Sequence, residues 1–246
     1  MLIFSFDMQR LIYTAKIRLQ SLLNAIGYKI ERAIMTAHPI DVFTLAARKT
    51  ALERGEDFFF LQIGANDGVG HDPLNNLIRK YHWRGLLVEP QPKVFQRLKE
   101  NYATEDKLVF VNSAIAHKDG TKTLYTVTTD GFETGLASFD RDLIVKQLST
   151  GTKLVELSVP AVNLQTLLQR YRIQSVDLLQ IDTEGYDYEI IKMCDFSKMK
   201  PSVIHYEHRH LSDQDRIACD RLLSAQGYRL HITGPDTVVY REMTVE

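Results

Sequence analysis

The feature that most constrains this chain is a pattern used twice: a short apolar run closed by a turn carrying glycine and acidic side chains. Phe58 to Leu61 lead into Gln62-Ile63-Gly64-Ala65-Asn66-Asp67-Gly68, and Val176 to Leu179 lead into Ile181-Asp182-Thr183-Glu184-Gly185. Short apolar runs bounded by turn residues read as buried strands. A third such run, Gly85 to Val88, ends on Glu89-Pro90. Open α/β sheets bind ligands outside the carboxyl ends of their strands. The acidic and small residues at these three ends therefore suggest a nucleoside-type ligand with a reaction beside it.

Length and charge set the bounds. A chain of 246 residues suits one generous domain with an accessory segment. A net charge of −1 opposes nucleic-acid binding, which goes with a basic excess. Cys194 and Cys219 form no CxxC pair, so neither a zinc knuckle nor a redox motif is expected. Both read as small buried apolar residues, and their scarcity fits a cytoplasmic protein. Met1 to Phe6 are apolar, but Asp7 and Arg10 interrupt the run. It is far short of the roughly 20 residues that span a bilayer, and no basic stretch precedes it as in a signal peptide.

Residues 1–56 read as a helical segment and 57–246 as the main domain, with an insertion at 113–160. From Asp7 to Gly27, the positions Leu11, Ile12, Ala15, Leu19, Leu22, Leu23 and Ile26 recur at helical spacing. This helix either packs on the main domain or a second copy, or lies on a membrane surface. The first reading is preferred, because one amphipathic stripe is ordinary globular architecture. A second helix is expected from Pro39 to Arg54.

Strands and helices then alternate. Strands are expected at 58–63, 86–89, 108–112, 176–181 and 203–207. Asp72-Pro73, Pro92, Asn163 and Ser212 with Asp215 open the helices between and after them. Tyr228 to Ile232 and Val238 to Arg241 flank Gly234-Pro235 as a hairpin. The alternation gives a parallel sheet, and the hairpin adds an antiparallel edge. From Ser113 to Pro160 the rhythm breaks. Thr121 to Thr128 and Lys153 to Val159 alternate like exposed strands, and Gly135-Leu136-Ala137-Ser138 stand out as an acceptor loop.

At the first turn, Gly64 and Gly68 let the backbone approach a ligand closely. Asn66 stands where a dinucleotide loop has its middle glycine, which is poor for a pyrophosphate. Asn66 and Asp67 suit a smaller, cationic ligand instead. Glu89 lies where related folds place a carboxylate on ribose hydroxyls. Asn112 and Ser113, ending the third strand, are placed to meet an adenine edge.

Taken in order, GANDG (64–68), VEPQ (88–91), NSAIA (112–116), IDTEGYD (181–187) and SVIHYEH (202–208) resemble the FkbM-type S-adenosylmethionine-dependent methyltransferases. The likeness runs from Phe58 to Arg241. It implies a Rossmann-like class I methyltransferase fold, with a mostly parallel seven-stranded sheet and a C-terminal antiparallel hairpin. S-adenosyl-L-methionine would be the methyl donor, and a hydroxyl on a sugar, glycan or small metabolite the usual acceptor. Carried over, Gly64, Asn66 and Gly68 line the methionine side and Glu89 holds the ribose, with Pro90 and Gln91 completing that turn. Asn112 and Ser113 face the adenine, and Asp182 lies near the methionine moiety or the acceptor.

Methyl transfer to a hydroxyl needs alignment and a base. Asp182 and Glu184 are the first candidates for that base, then His208, with Glu207 also at hand. Asp67 and Asp182 favour a cationic cofactor electrostatically. The run His205 to His210 otherwise reads as a polar strand end with solvated histidines. Asp182, Glu184 and His208 would also make an oxygen-rich divalent site, but nothing in their spacing demands one and no metal is expected. Two other functions stay open: a nicotinamide-dependent oxidoreductase, and a catalytically silent scaffold.

Overall fold

In the computed structural model the described residues are 41–70, 72–129 and 132–241. The helix expected from Asp7 to Gly27 lies outside them. Helix α1 (Val42–Arg54) buries Phe43, Ala47 and Thr50, spaced to fall on one face, and breaks at Gly55 with a φ of 57°. After it come β1 (Phe59–Ile63), α2 (Asn75–Tyr81), β2 (Arg84–Val88), α3 (Pro92–Asn101) and β3 (Leu108–Val111). The expected insertion holds β4 (Ala114–Ile115), β5 (Gly120–Thr129), β6 (Phe132–Ser138), α4 (Arg141–Lys146) and β7 (Thr152–Val162). The chain closes with α5 (Leu164–Arg170), β8 (Leu178–Ile181), α6 (Asp187–Met193), β9 (Val203–Glu207), α7 (Asp213–Ala225), β10 (Tyr228–Thr233) and β11 (Asp236–Arg241).

The main sheet has seven strands in the order β10-β11-β9-β8-β1-β2-β3. Pairing is parallel from β9 to β3, and antiparallel where the hairpin β10–β11 joins β9. This is the mostly parallel seven-stranded, Rossmann-like sheet with a C-terminal antiparallel hairpin that the resemblance implies. Because side chains alternate across a strand, each central strand feeds two cores. Leu61, Ile63, Leu86, Val88, Leu179 and Ile181 face α5, α6 and α7. Phe60, Leu87, Leu178 and Val203 face α1, α2 and α3. The strands stay parallel, but the order of connection reverses between β1, which continues outward to β2, and β8, which continues the other way to β9. That reversal opens a crevice at the strand ends.

The capping signals place three helices. Asn163 accepts from the Gln165 N–H at the start of α5, Pro92 sits in the first turn of α3, and Ser212 accepts from Asp215 N–H at α7. Helix α2 starts at Asn75 rather than at Pro73. Asp72 Oδ1 accepts from Leu74 N–H and from Gln62 Nε2, which fixes a turn first and delays the helix. The insertion forms its own four-stranded sheet, β4-β7-β5-β6. Strands β5 and β7 pair antiparallel from Gly120 with Ala161 to Thr129 with Thr152. Among the described residues no helix is long and apolar enough to cross a membrane.

Candidate active site

The ends of β1, β2, β8 and β9 converge on a cavity of about 590 Å³ that β6 of the insertion covers. That volume is in the range of small-molecule sites. Several contacts fasten the insertion over it, among them Arg97 Nη2 donating to Glu133 O (2.9 Å). Gln91 Nε2 donates to Gly135 O (2.9 Å), Thr126 Oγ1 donates to Gln91 Oε1 (2.7 Å), and Ser138 Oγ donates to Glu184 O (2.7 Å). The segment Gly135 to Ser138 is thus not a loose loop. It belongs to a strand, and Gly135, Leu136 and Ala137 line the cavity.

At the end of β2 stands Glu89, 3% exposed. Its Oε2 accepts from Asn66 N–H (3.0 Å) and its Oε1 from Gln91 N–H (2.8 Å). Each carboxylate oxygen keeps a further lone pair for a ligand. Burial pushes this carboxyl up to about 7, against the pull of those two amides. Asn112 does not line the cavity. Its Nδ2 donates to Glu89 O and Pro90 O, so it fixes the turn that carries Glu89, while Ser113 does line the cavity.

The β1 turn divides its residues. Gly64 N–H donates to Val88 O (3.0 Å), and a Cβ there would stand 1.7 Å from Asp182 O. Its glycine is therefore demanded by the chain's own backbone as well as by its place in the cavity wall. Asn66 adopts a left-handed φ of 49° and lines the cavity. Asp67 and Gly68 do not. Asp67 Oδ1 accepts from Val69 N–H and Gly70 N–H, and a Cβ on Gly68 would strike Tyr102 and Leu98. The anionic role expected of Asp67 toward a ligand is corrected accordingly: an Asx-type turn engages its Oδ1 off the cavity wall.

Beneath the cavity, in-register pairing sets Gln62 of β1 beside Gln180 of β8. Both line the cavity, and each keeps a buried amide oxygen with no hydrogen-bond partner. Asp72 joins them, its carboxyl raised by burial. Sequence reasoning passed over all three. The signal was present: a glutamine before the last residue of two apolar strands.

Acidic groups crowd the other end. Asp182 and Glu184 follow β8, Glu207 ends β9, and Asp236 begins β11, all lining the cavity. Burial, then the Asp187 charge, raises Asp182 to about 7. Burial, then the Asp182 charge, raises Glu184 to about 8 and Glu207 to about 7. Glu184 holds a left-handed φ of 52°, costly for a side chain of its length. His208 is not brought here. It is buried, with its Nδ1 hydrogen-bonded to Thr237 Oγ1 (2.9 Å). The histidine at the cluster is His210, whose Nε2 lies 3.0 Å from Glu184 Oε2 and 3.5 Å from Glu207 Oε2. The run is thus no solvated strand end: His205 and His208 are buried and His210 is turned inward.

The Methyltransferase FkbM domain family model matches residues 62–230. No curated protein matches the chain. Among solved structures, the chain is similar to the methyltransferase FkbM from Methylobacillus flagellatus KT at 14% identity and a TM-score of 0.48. That likeness covers 75% of this chain but 43% of the other, so the chain spans less than half of that protein's length. The Methanococcus jannaschii fibrillarin pre-rRNA processing protein matches at 13% identity and 0.41, covering 77% and 71%. The METTL16 methyltransferase domain matches at 10% identity and 0.44, covering 79% and 65%. At these values the likenesses add nothing to the family match.

Proposed function

Given that this chain belongs to the FkbM methyltransferase family, we propose that it transfers a methyl group from S-adenosylmethionine to a hydroxyl of a sugar, glycan or small metabolite. The observation that carries this reading is Glu89: a buried carboxylate, fixed by two backbone amides, on the wall of a cavity at the sheet's reversal point. A ribose diol donates two hydrogen bonds and suits such an acceptor. The fit extends to the opposite end of the ligand. Gln62 and Gln180 offer buried amide oxygens without donors, beside the Asp72 carboxyl. Acceptors of this kind suit an ammonium, which only donates. Ser113 also lines the cavity, and the family resemblance assigns it to the adenine base.

When bound, the sulfonium supplies a methyl group already activated for attack. The chain's own residues then have two tasks: alignment and removal of a proton. Alignment follows from gripping both ends of the donor while β6 closes the cavity and limits water. Asp182 lines the cavity between the Gly64 turn and the acidic end, which suits it to accept the acceptor's proton. A hydroxyl acceptor fits better than an amine. Clustered carboxylates would hold an amine as its unreactive ammonium, and they would repel a phosphate backbone.

Calorimetric titration with S-adenosylmethionine, S-adenosylhomocysteine and NAD tests the reading. Binding of the first two, lost in Glu89→Ala, is the expected result. Tight NAD binding with none for adenosylhomocysteine would make the chain an oxidoreductase, and binding of neither a scaffold. An Asp182→Asn variant that binds cofactor normally and keeps full turnover would take the proton-accepting role from Asp182.

A further inference from the structure

We propose that Glu184, Glu207 and His210 form a divalent-cation site at the acceptor end of the cleft. One ligand atom from each lies within 4.8 Å of the others. His210 Nε2 stands 3.0 Å from Glu184 Oε2 and 3.5 Å from Glu207 Oε2. An octahedral ion with ligands at ~2.1 Å sets neighbouring ligand atoms ~3.0 Å apart, so the 3.0 Å separation matches one edge of a coordination shell and the 3.5 Å separation is slightly longer than a second.

A second observation points to a ligand. Glu207 is 9% exposed, and its Oε2 is buried without a hydrogen bond. A buried carboxylate oxygen with no donor is expensive to maintain. Arg209 does not meet the need, because its Nε lies 3.9 Å away on the other oxygen, Oε1. The unsatisfied oxygen is turned instead toward the His210 nitrogen. Asp182, Asp187 and Asp236 stand close enough to raise or share the negative field. An ion of charge +2 would relieve both the missing donor and the mutual repulsion.

Two carboxylates and one imidazole make a mixed oxygen and nitrogen set. That composition fits a first-row divalent ion such as Mn2+ better than Ca2+, which takes oxygen ligands. Glu184 and Glu207 also line the cavity. An ion held by three protein groups at that wall would keep positions open to an incoming hydroxyl, lowering its pKa as a Lewis acid. The site differs from the Asp182, Glu184 and His208 set considered on sequence grounds, because His208 is bound to Thr237. The ion's catalytic role rests on the methyl-transfer reading, whereas its binding does not.

The experiment uses the full chain after dialysis against a chelator. Mn2+ is titrated in, and the free ion is followed by its EPR signal, with and without adenosylhomocysteine. The expected result is one Mn2+ per chain, with affinity at least about tenfold weaker in Glu207→Gln and in His210→Asn. Retained adenosylhomocysteine binding shows that each variant is folded. Glu184→Gln, with a side chain 24% exposed, serves if a buried variant fails to fold. Absence of Mn2+ binding by a chain that binds adenosylhomocysteine overturns the site and leaves the methyl-transfer reading standing. Mn2+ binding that ignores all three substitutions also overturns it. Mn2+ binding that obeys them, in a chain with no affinity for adenosylhomocysteine, keeps the site and removes its role.

Discussion

Glu89 is a carboxylate held in an apolar strand end by two backbone amides, and that setting gives it opposite pH signatures in folding and in binding. Its pKa rises from 4.5 to about 7 because burial penalises the charge more than the amides repay. Below pH 4.5 the group is neutral in folded and unfolded chains alike. Between there and about pH 7 the unfolded chain ionises first, so stability falls as pH rises. The full loss is about 3 kcal/mol above that window. Urea unfolding of the wild type and Glu89→Gln should therefore show the variant gaining relative stability from pH 5 to 7, then no further change. Ribose hydroxyls favour the ionised form, so adenosylhomocysteine affinity should rise with pH through 7 in the wild type. In the variant the rise should be smaller, and the affinity about 1.5–3 kcal/mol weaker by calorimetry. Gly64 makes a sharper prediction. With φ at 80° and Asp182 O only 1.7 Å from where a Cβ would stand, Gly64→Ala should cost more than about 3 kcal/mol. A melting temperature within a degree or two of the wild type would contradict that.

Among the elements, the insertion sheet acts on the site through Ser138 at the end of β6. Its hydroxyl donates to Glu184 O and accepts from Asp140 N–H, bracing a backbone turn whose φ of 52° is unfavourable for glutamate. Ser138→Ala removes the brace but touches neither Glu89 nor the glutamine pair. Turnover should fall about five- to tenfold, the worth of one hydrogen bond of about 1–1.5 kcal/mol, while adenosylhomocysteine affinity stays constant. Equal losses in both would mean that Ser138 supports the whole cavity. The strand ends were legible in sequence because apolar runs, glycines and carboxylates coincide there. Two helices were not. α4 has six residues, too few to show a period, and sits among strands. α6 follows Gly185 so closely that its first turn, with Asp187 buried, reads as part of the acidic loop. His210 was missed for a related reason. Alternation predicts faces only within a strand, and β9 ends at Glu207.

For the molecule as a whole, the alternation of strands and helices pointed to a parallel sheet with an antiparallel edge, and the seven-stranded arrangement came from the family resemblance. How 113–160 folds back over the sheet could not be read, because contacts such as Gln91 with Gly135 and Ser138 with Glu184 join residues far apart in sequence. The consequence is that the cavity is walled by pieces that meet only in the folded chain: both arms of the reversed sheet and the insertion. A ligand filling it binds the native state and not the unfolded one, so it should stabilise the domain by mass action. At one hundred times its dissociation constant, adenosylhomocysteine should add about 2.7 kcal/mol. For a domain of this size that is a rise of about 5–10 °C in melting temperature. Glu89→Ala should lose most of the shift, because its ribose contact goes, whereas Ser138→Ala at its own saturation should keep it. NAD at the same concentration should give none. A shift from NAD but not from adenosylhomocysteine would mean that the crevice accepts a pyrophosphate after all, and that Asn66 in place of the middle glycine is no barrier to it.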